Sequence, residues 1–298
     1  MKRNILKKIF FIEEDTIHKI IYILGIKIRI RKHSKRSARI SDCAAREIYS
    51  AIEVSKLHSK VFPPFKHCNI DQNVTIIGCG PTVQFYNNEA DYINIALNKA
   101  ILLDNINFKY SFAFDGELQE TCPGYIDIIK NKKYIKFIGK FLHPDIKKNF
   151  PEIKHAEQYK IYRYYAAKRH GFPNLRKFED ELHTDISTYP LADFYSISFA
   201  ALQFALYTYP DKIYLVGLDT AQTGNFFNAD GVCRYLDKKM LKGYKIFKEF
   251  AAIHYPETEI ISINPVGLKG IFSDMYTRSY AEKYSELNIP EDKIIKTN

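Results

Sequence analysis

The stretch Val74–Thr82, VTIIGCGPT, decides the fold. Val74, Thr75, Ile76 and Ile77 are β-branched and favour a strand, and they run directly into Gly78-Cys79-Gly80-Pro81-Thr82. Two glycines one residue apart permit a tight turn and a close backbone approach, and Pro81 suits the first position of a helix. Apolar strand, glycine turn and helix start form the context of a phosphate-binding turn, in which free N–H groups meet an anion. The dinucleotide fingerprint G-x-G-x-x-G fails, because Val83 stands at its third glycine, and the G-K-[ST] of a P-loop is absent. A turn without any ligand competes with a binding turn while Gly-x-Gly is taken alone.

Outward from this turn, apolar strands are expected at 73–78, 93–97, 111–115, 134–138, 212–217 and 258–263. Helices are expected near 43–58, 81–88, 156–169, 195–207, 235–253 and 265–271, with Pro63-Pro64 closing the first. Short strands spaced by helices imply an α/β, Rossmann-like fold, a mostly parallel sheet covered by helices on both faces. The segment 140–190 is dense in Tyr, Lys, Arg and His, and is expected to form a helical, lid-like insertion or an exposed helical connection. The division expected is a basic N-terminal arm, 1–40, and a domain, 41–298, that carries the insertion.

The 298 residues are 46% hydrophobic and 26% charged, the balance of a soluble globular chain. Five scattered cysteines without a C-x-x-C pair argue against a disulfide framework or structural zinc, and fit a reducing cytoplasm. The net charge of +10 is concentrated: residues 1–40 hold 12 Lys/Arg against Glu13, Glu14 and Asp15, and the other 258 hold 32 against 31. A neutral body argues against nucleic-acid binding. In the arm, the apolar run 20–26 is far shorter than the roughly 20 residues of a membrane span. Ile26, Ile28 and Ile30 alternate with Lys27, Arg29 and Arg31, which as a strand gives an isoleucine row and a cationic row. That pairing of apolar and basic contacts suits docking on an anionic inner-membrane surface from the cytoplasmic side. A solvated basic strand or a tether to a partner is the plainer alternative.

Three further blocks follow the turn: INIALNKAILLDNINFKYSFAFDG (93–116), SISFAALQFALYTYPDKIYLVGLDTAQTGN (196–225) and SINPVGLKG (262–270). Their order over about 72–272 resembles the bacterial sialyltransferases of glycosyltransferase family 42. They are at least as similar to the motility-associated-factor-like glycosyltransferases and the 6-hydroxymethylpterin diphosphokinases. The resemblance implies that Gly78, Gly80, Pro81 and Thr82 cradle the phosphate and ribose of a CMP-sugar, and that Asn98 contacts the nucleotide. It implies that Ser196 holds the donor's carboxylate, and that Asp115 and Asp219 end strands beside the same cleft. All lie where open α/β sheets bind ligands, at carboxyl ends of strands.

The chain departs from the sialyltransferases at several points. Residues 220–250 contain no histidine, although those enzymes place their base there. Thr220, Ala221, Gln222, Phe226 and Phe227 replace their tyrosines, and Asp193 replaces the arginine before the serine. Candidates to accept the acceptor's proton are Asp115, Asp219, His170 and His183, since a carboxylate or imidazole suits that task. Arg163, Lys168 and Arg169 could neutralise phosphate, and Tyr162, Tyr164 and Tyr165 could stack on a base or pack in the core. A metal site is not expected, because no D-x-D pair occurs, and no cofactor beyond the nucleotide-linked donor is implied.

The function expected is metal-independent transfer of an acidic nonulosonate, such as sialic acid, from a CMP donor to a surface glycan or lipopolysaccharide. Alternatives are diphosphate transfer from ATP as in the pterin kinases, with Mg²⁺ bridging the phosphates, or a non-catalytic nucleotide- or glycan-binding member. The partners expected are the nucleotide sugar, the glycan acceptor and an anionic membrane surface, with a homo-oligomer left open.

Overall fold

The structure, a computed structural model, describes residues 10–14, 18–23, 26–31, 51–87, 91–114, 118–140, 151–167, 181–220 and 234–295. The chain divides into two compact units, Met1–Glu53 and Val54–Asn298.

In the first unit, strands β1 (Phe10–Glu14), β2 (His18–Ile23) and β3 (Ile26–Arg31) form an antiparallel sheet in the order β1-β2-β3. The Ile/cation alternation of 26–31 is thus a strand, as its period of two requires.

In the second unit, β4 (Asn73–Ile77), β5 (Ile93–Leu97), β6 (Phe108–Ala113), β7 (Ile135–Lys140), β8 (Ile161–Ala167), β9 (Leu191–Ala192), β10 (Lys212–Val216), β11 (Glu259–Ile263) and β12 (Ser273–Met275) form one sheet. Its order is β12-β11-β10-β4-β5-β6-β7-β8-β9, and every pairing is parallel. Alternate residues of its strands feed two cores, as a sheet covered on both faces demands. Val74, Ile76, Ile93 and Ile95 join helix Ile197–Thr208 with Tyr244 and Phe247 of helix Arg234–His254. Ile77, Ala96, Ala113 and Val216 join Ala100, Ile101 and helix Tyr125–Asn131. The molecule is therefore an α/β, Rossmann-like protein. Helix Ile197–Thr208 is apolar all round because it is central, with Ser198 through Thr208 all buried. Among the described residues no helix is long and apolar enough to cross a membrane.

Two expected helices are strand or turn. Over the described part of 156–169, residues 156–167, the chain makes a 3₁₀ turn, Ala156–Tyr159, and then β8, between β7 and β9. Tyr164 is fully buried against Phe112 at 5.6 Å between ring centroids, so it packs the core rather than a ligand. The described part of 140–190 is sheet, 3₁₀ turn and loop that contributes to the core, and the rest of the expected lid-like insertion, 141–150 and 168–180, lies outside the described residues. Residues 266–271 form successive turns rather than a helix. The helix expected at 81–88 is a short 3₁₀ helix, Pro81–Phe85.

His58, on the helical segment 51–61, ties three chain segments together. Its Nδ1 lies 2.9 Å from the carbonyls of Ile186 and Tyr189, and its Nε2 accepts from the Tyr165 N–H at 2.8 Å. Only the neutral ring with its proton on Nδ1 satisfies all three. Burial pushes the pKa down to about 4, against the two carbonyls that pull it up.

Candidate functional site

From β4 the chain steps outward through β5 to β9, then returns along helix Ile197–Thr208 to lay β10 on the other side of β4. The order reverses between β4 and β10, and ligands of open α/β sheets bind beyond the carboxyl ends at such a switch point. The two strands are in level register, Asn73 opposite Lys212 and Ile77 opposite Val216, so their following turns emerge side by side.

These turns are joined tightly. The Gly78 N–H donates to Val216 O at 2.8 Å and the Gly80 N–H to Gly217 O at 2.7 Å. The Thr82 N–H donates to Asp219 Oδ2 at 3.0 Å, and the Thr82 hydroxyl donates to Asp219 Oδ1. A Cβ on Gly78 would stand 2.5 Å from Gly217 O, and one on Gly80 2.5 Å from Asp219 Cγ. The glycines are needed so that two turns of the protein itself can touch. Their amides, with that of Val83, which donates to Gly80 O at 3.0 Å, are occupied internally. An anion at this turn would compete with those bonds or meet side chains instead.

The Asp219 carboxyl is buried, which raises its pKa, while the two Thr82 bonds pull it back. Two of its roughly four lone-pair sites are thereby used. Tyr280, of helix Arg278–Lys283, stands near enough for the Asp219 charge to help raise its phenol pKa, after burial and the Tyr284 and Tyr276 neighbours. The Tyr280 ring meets Phe85 edge-on at 5.3 Å, and Lys283 Nζ lies 5.1 Å from the Phe85 centroid. An aromatic wall with one cation therefore flanks the Thr82–Asp219 pair.

Asn98 follows β5 and Thr220 follows β10, the neighbours of β4 on either side. Asn98 Oδ1 and Thr220 Oγ1 are both buried without a hydrogen-bond partner among the described residues. Both residues have left-handed backbones, φ 48° and 41°. Asparagine tolerates that conformation, whereas a β-branched threonine rarely adopts it. Asn264, after β11, is also left-handed at φ 50°, but its amide is satisfied by Thr277.

Ser196 caps helix Ile197–Thr208, whose N-terminus faces the carboxyl edge because the helix runs back from β9 to β10. Its Oγ accepts from Ser198 N at 3.3 Å and shares a 2.8 Å bond with Ser198 Oγ, which shares a 2.5 Å bond with the Tyr244 hydroxyl. Burial pushes the Tyr244 phenol up to about 12.

The sequence candidates are thus only partly assembled. Gly78, Gly80, Pro81, Thr82 and Asp219 meet at the switch point, and Asn98 and Ser196 lie on the same carboxyl edge. His183 stacks on Tyr189 at 3.8 Å, and the Tyr189 carbonyl is tied through His58 to β8, four strands from β4. The structure does not bring His183 to the Thr82–Asp219 pair. Asp115 and His170, with Lys168 and Arg169, lie outside the described residues. Arg163 is occupied by the Pro151 carbonyl at 2.5 Å. Thr220 and Tyr280 escape sequence reasoning as site residues. Thr220 at least carries a signal, a polar side chain next to Asp219 in the turn that follows an apolar strand. Among the described residues no group of three or more His, Cys, Asp or Glu could hold a metal ion.

No protein-family model matches this chain, and no curated protein matches it. Among solved structures, it is similar to the sialyltransferase CST-II in complex with a trisaccharide acceptor and CMP. That similarity has 15% identity and TM-score 0.38, and covers 64% of this chain and 80% of that one. It is also similar to the sialyltransferase CstII from Campylobacter jejuni in complex with the substrate analogue CMP-3FNeuAc, at 16% identity and TM-score 0.35, with 64% and 80% covered.

Proposed function

We propose that the chain is a glycosyltransferase that moves a sugar from a nucleotide-activated donor to a glycan acceptor. In finer detail, the donor is a CMP-linked acidic nonulosonate such as sialic acid. The acceptor is a surface glycan or lipopolysaccharide presented at an anionic membrane surface, and no metal takes part. The observation that carries this reading is the Thr82–Asp219 pair at the β4/β10 switch point. It unites the first and third motif blocks of a sugar-nucleotide site across 137 residues.

Asn98 Oδ1 and Thr220 Oγ1 supply hydrogen-bonding groups that a polar ligand would satisfy. Ser196 would meet the donor's carboxylate. Asp219 retains unused lone pairs and a pKa raised by burial, which suits it to take the acceptor hydroxyl's proton as the bond to the anomeric carbon forms. Departure of CMP would then rest on positioning, because the Gly78 and Gly80 amides of the turn are already bonded within the protein.

Thermal-shift measurements with CMP, CDP, UDP, GDP and ATP, with and without Mg²⁺, test the donor class. A ligand at 100 times its Kd stabilises by about 2.7 kcal/mol. Stabilisation by CMP without metal is expected. Stabilisation by Mg-ATP alone would replace this reading with diphosphate transfer, and CMP binding without donor hydrolysis or transfer would leave a binding protein.

A further inference from the structure

We infer that the three-stranded sheet of the first unit is an amphipathic docking element that lays one defined face on an anionic lipid bilayer. This deepens the membrane part of the proposed function and rests on it. Residues directly opposite in an antiparallel pair share a face, and the face alternates along each strand. The register sets Ile12, Ile21 and Ile28 in one row across the sheet, and Phe10, Ile23 and Ile26 in the next. The third row on that face is Glu14, Lys19 and Ile30. Seven of its nine positions are apolar, with both charges confined to one end. The other face holds Phe11 and Glu13 on β1, His18, Ile20 and Tyr22 on β2, and Lys27, Arg29 and Arg31 on β3, so its cations are gathered on one strand.

Ile21 is buried, but Ile28, its cross-strand partner, remains 41% exposed. Charge selects the occupant. Residues 1–40 carry 12 cations against three acids, while the rest of the chain is nearly neutral at 32 against 31. A nucleic acid or an acidic protein would answer the cations but not a face of phenylalanine and isoleucine. An anionic bilayer answers both, because stable attachment takes an apolar and a polybasic signal together. Cations on the far face stay within about one sheet spacing of the surface, roughly 10 Å, close to the Debye length at 0.1 M salt. They still feel the lipid charge.

The chain contains no tryptophan, so a single introduced indole reports its own surroundings. Full-length I28W and R29W place it on the apolar and the cationic face respectively. Each is mixed with vesicles of equal parts phosphatidylglycerol and phosphatidylcholine, with pure phosphatidylcholine as control. The I28W emission is expected to shift blue and to be quenched by brominated acyl chains on the anionic vesicles only, while that of R29W is not. K27E, R29E and R31E are each expected to weaken vesicle binding about fivefold. Binding should largely disappear at about 1 M salt, where the Debye length is about 3 Å.

Vesicle flotation without an I28W shift, or with the shift on R29W instead, overturns the face assignment while leaving membrane docking intact. Loss of flotation by the unmutated chain overturns both. An I28W shift that follows protein concentration without vesicles assigns the face to a second copy and overturns the inference. A thermal response to CMP, read on the same samples, reports the nucleotide site independently of every one of these outcomes.

Discussion

Asp219 concentrates the functional question in one carboxyl. Burial disfavours its charge and Thr82 supports it, so its raised pKa records the cost of keeping an ionised group at the switch point. D219N keeps shape and the Thr82 N–H bond but removes the base. Transfer is expected to fall by about 10²–10⁴ with CMP stabilisation retained, and the variant should be no less stable than the parent at neutral pH. In the parent, kcat/KM should rise with pH through a carboxylate pKa above the usual range, and D219N should lack that limb. Unchanged transfer would remove Asp219 from the chemistry.

His58 makes the opposite kind of prediction. Its folded pKa of about 4 lies below the ordinary 6.5, so the neutral ring's contribution is fully present above pH 6.5 and is lost as pH falls towards 4. Linkage puts this at about 3 kcal/mol. Urea midpoints should drop over that window in the parent. H58Q should be less stable at pH 7 and show a flatter decline.

At the scale of elements, Ser196 separates two roles of one side chain. Aspartate is as good an N-cap as serine, but it would repel a carboxylate. S196A is expected to cost about 1 kcal/mol of stability, whereas S196D should hold its denaturation midpoint. If Ser196 holds the donor, S196D raises the donor KM roughly tenfold or more, about 1.4 kcal/mol. An unchanged KM would make Ser196 a helix cap only. G80A sets a Cβ 2.5 Å from Asp219 Cγ, and overpacking of that kind costs about 1–3 kcal/mol, read from the same denaturation curves.

How much of these elements is legible in the sequence depends on their surroundings. β5 is read to the residue because INIAL is bounded by polar residues on both sides. β3 is legible because one row of its residues is charged and the other is not. β8 is not, since IYRYYAA sits between two neighbours and is buried over most of its length, which erases the period that distinguishes strand from helix. Thr82 and Asp219 are each legible as site residues from their blocks, but their bond across 137 positions is a property of the sheet order alone. His58 gives no sign, because a lone histidine in a helical sequence looks the same whether it clamps three segments or faces water.

On the scale of the whole molecule, the two units differ in charge density. The α/β unit, which carries the switch point, holds 31 Lys/Arg against 28 Asp/Glu, and the far shorter first unit holds 13 against 6. Salt is therefore expected to affect vesicle attachment steeply and nucleotide stabilisation little. Equal salt sensitivity of the two measurements would mean that the cationic arm contributes to the nucleotide site.

The adjacency of β4 and β10 also has a consequence for synthesis. β4 is the first strand of its sheet to leave the ribosome, yet one of its two neighbours follows about 135 residues later, when Lys212–Val216 is made. Throughout that interval NVTII, buried from Val74 to Ile77 in the finished sheet, has an unpaired side open to any other extended chain. A chain stopped after residue 210 should accordingly sediment with its own kind and lack any response to CMP, and addition of the full-length protein should not rescue it. Late closure ties the Thr82–Asp219 pair to synthesis past residue 219, since a chain stopped earlier lacks the carboxyl that Thr82 binds.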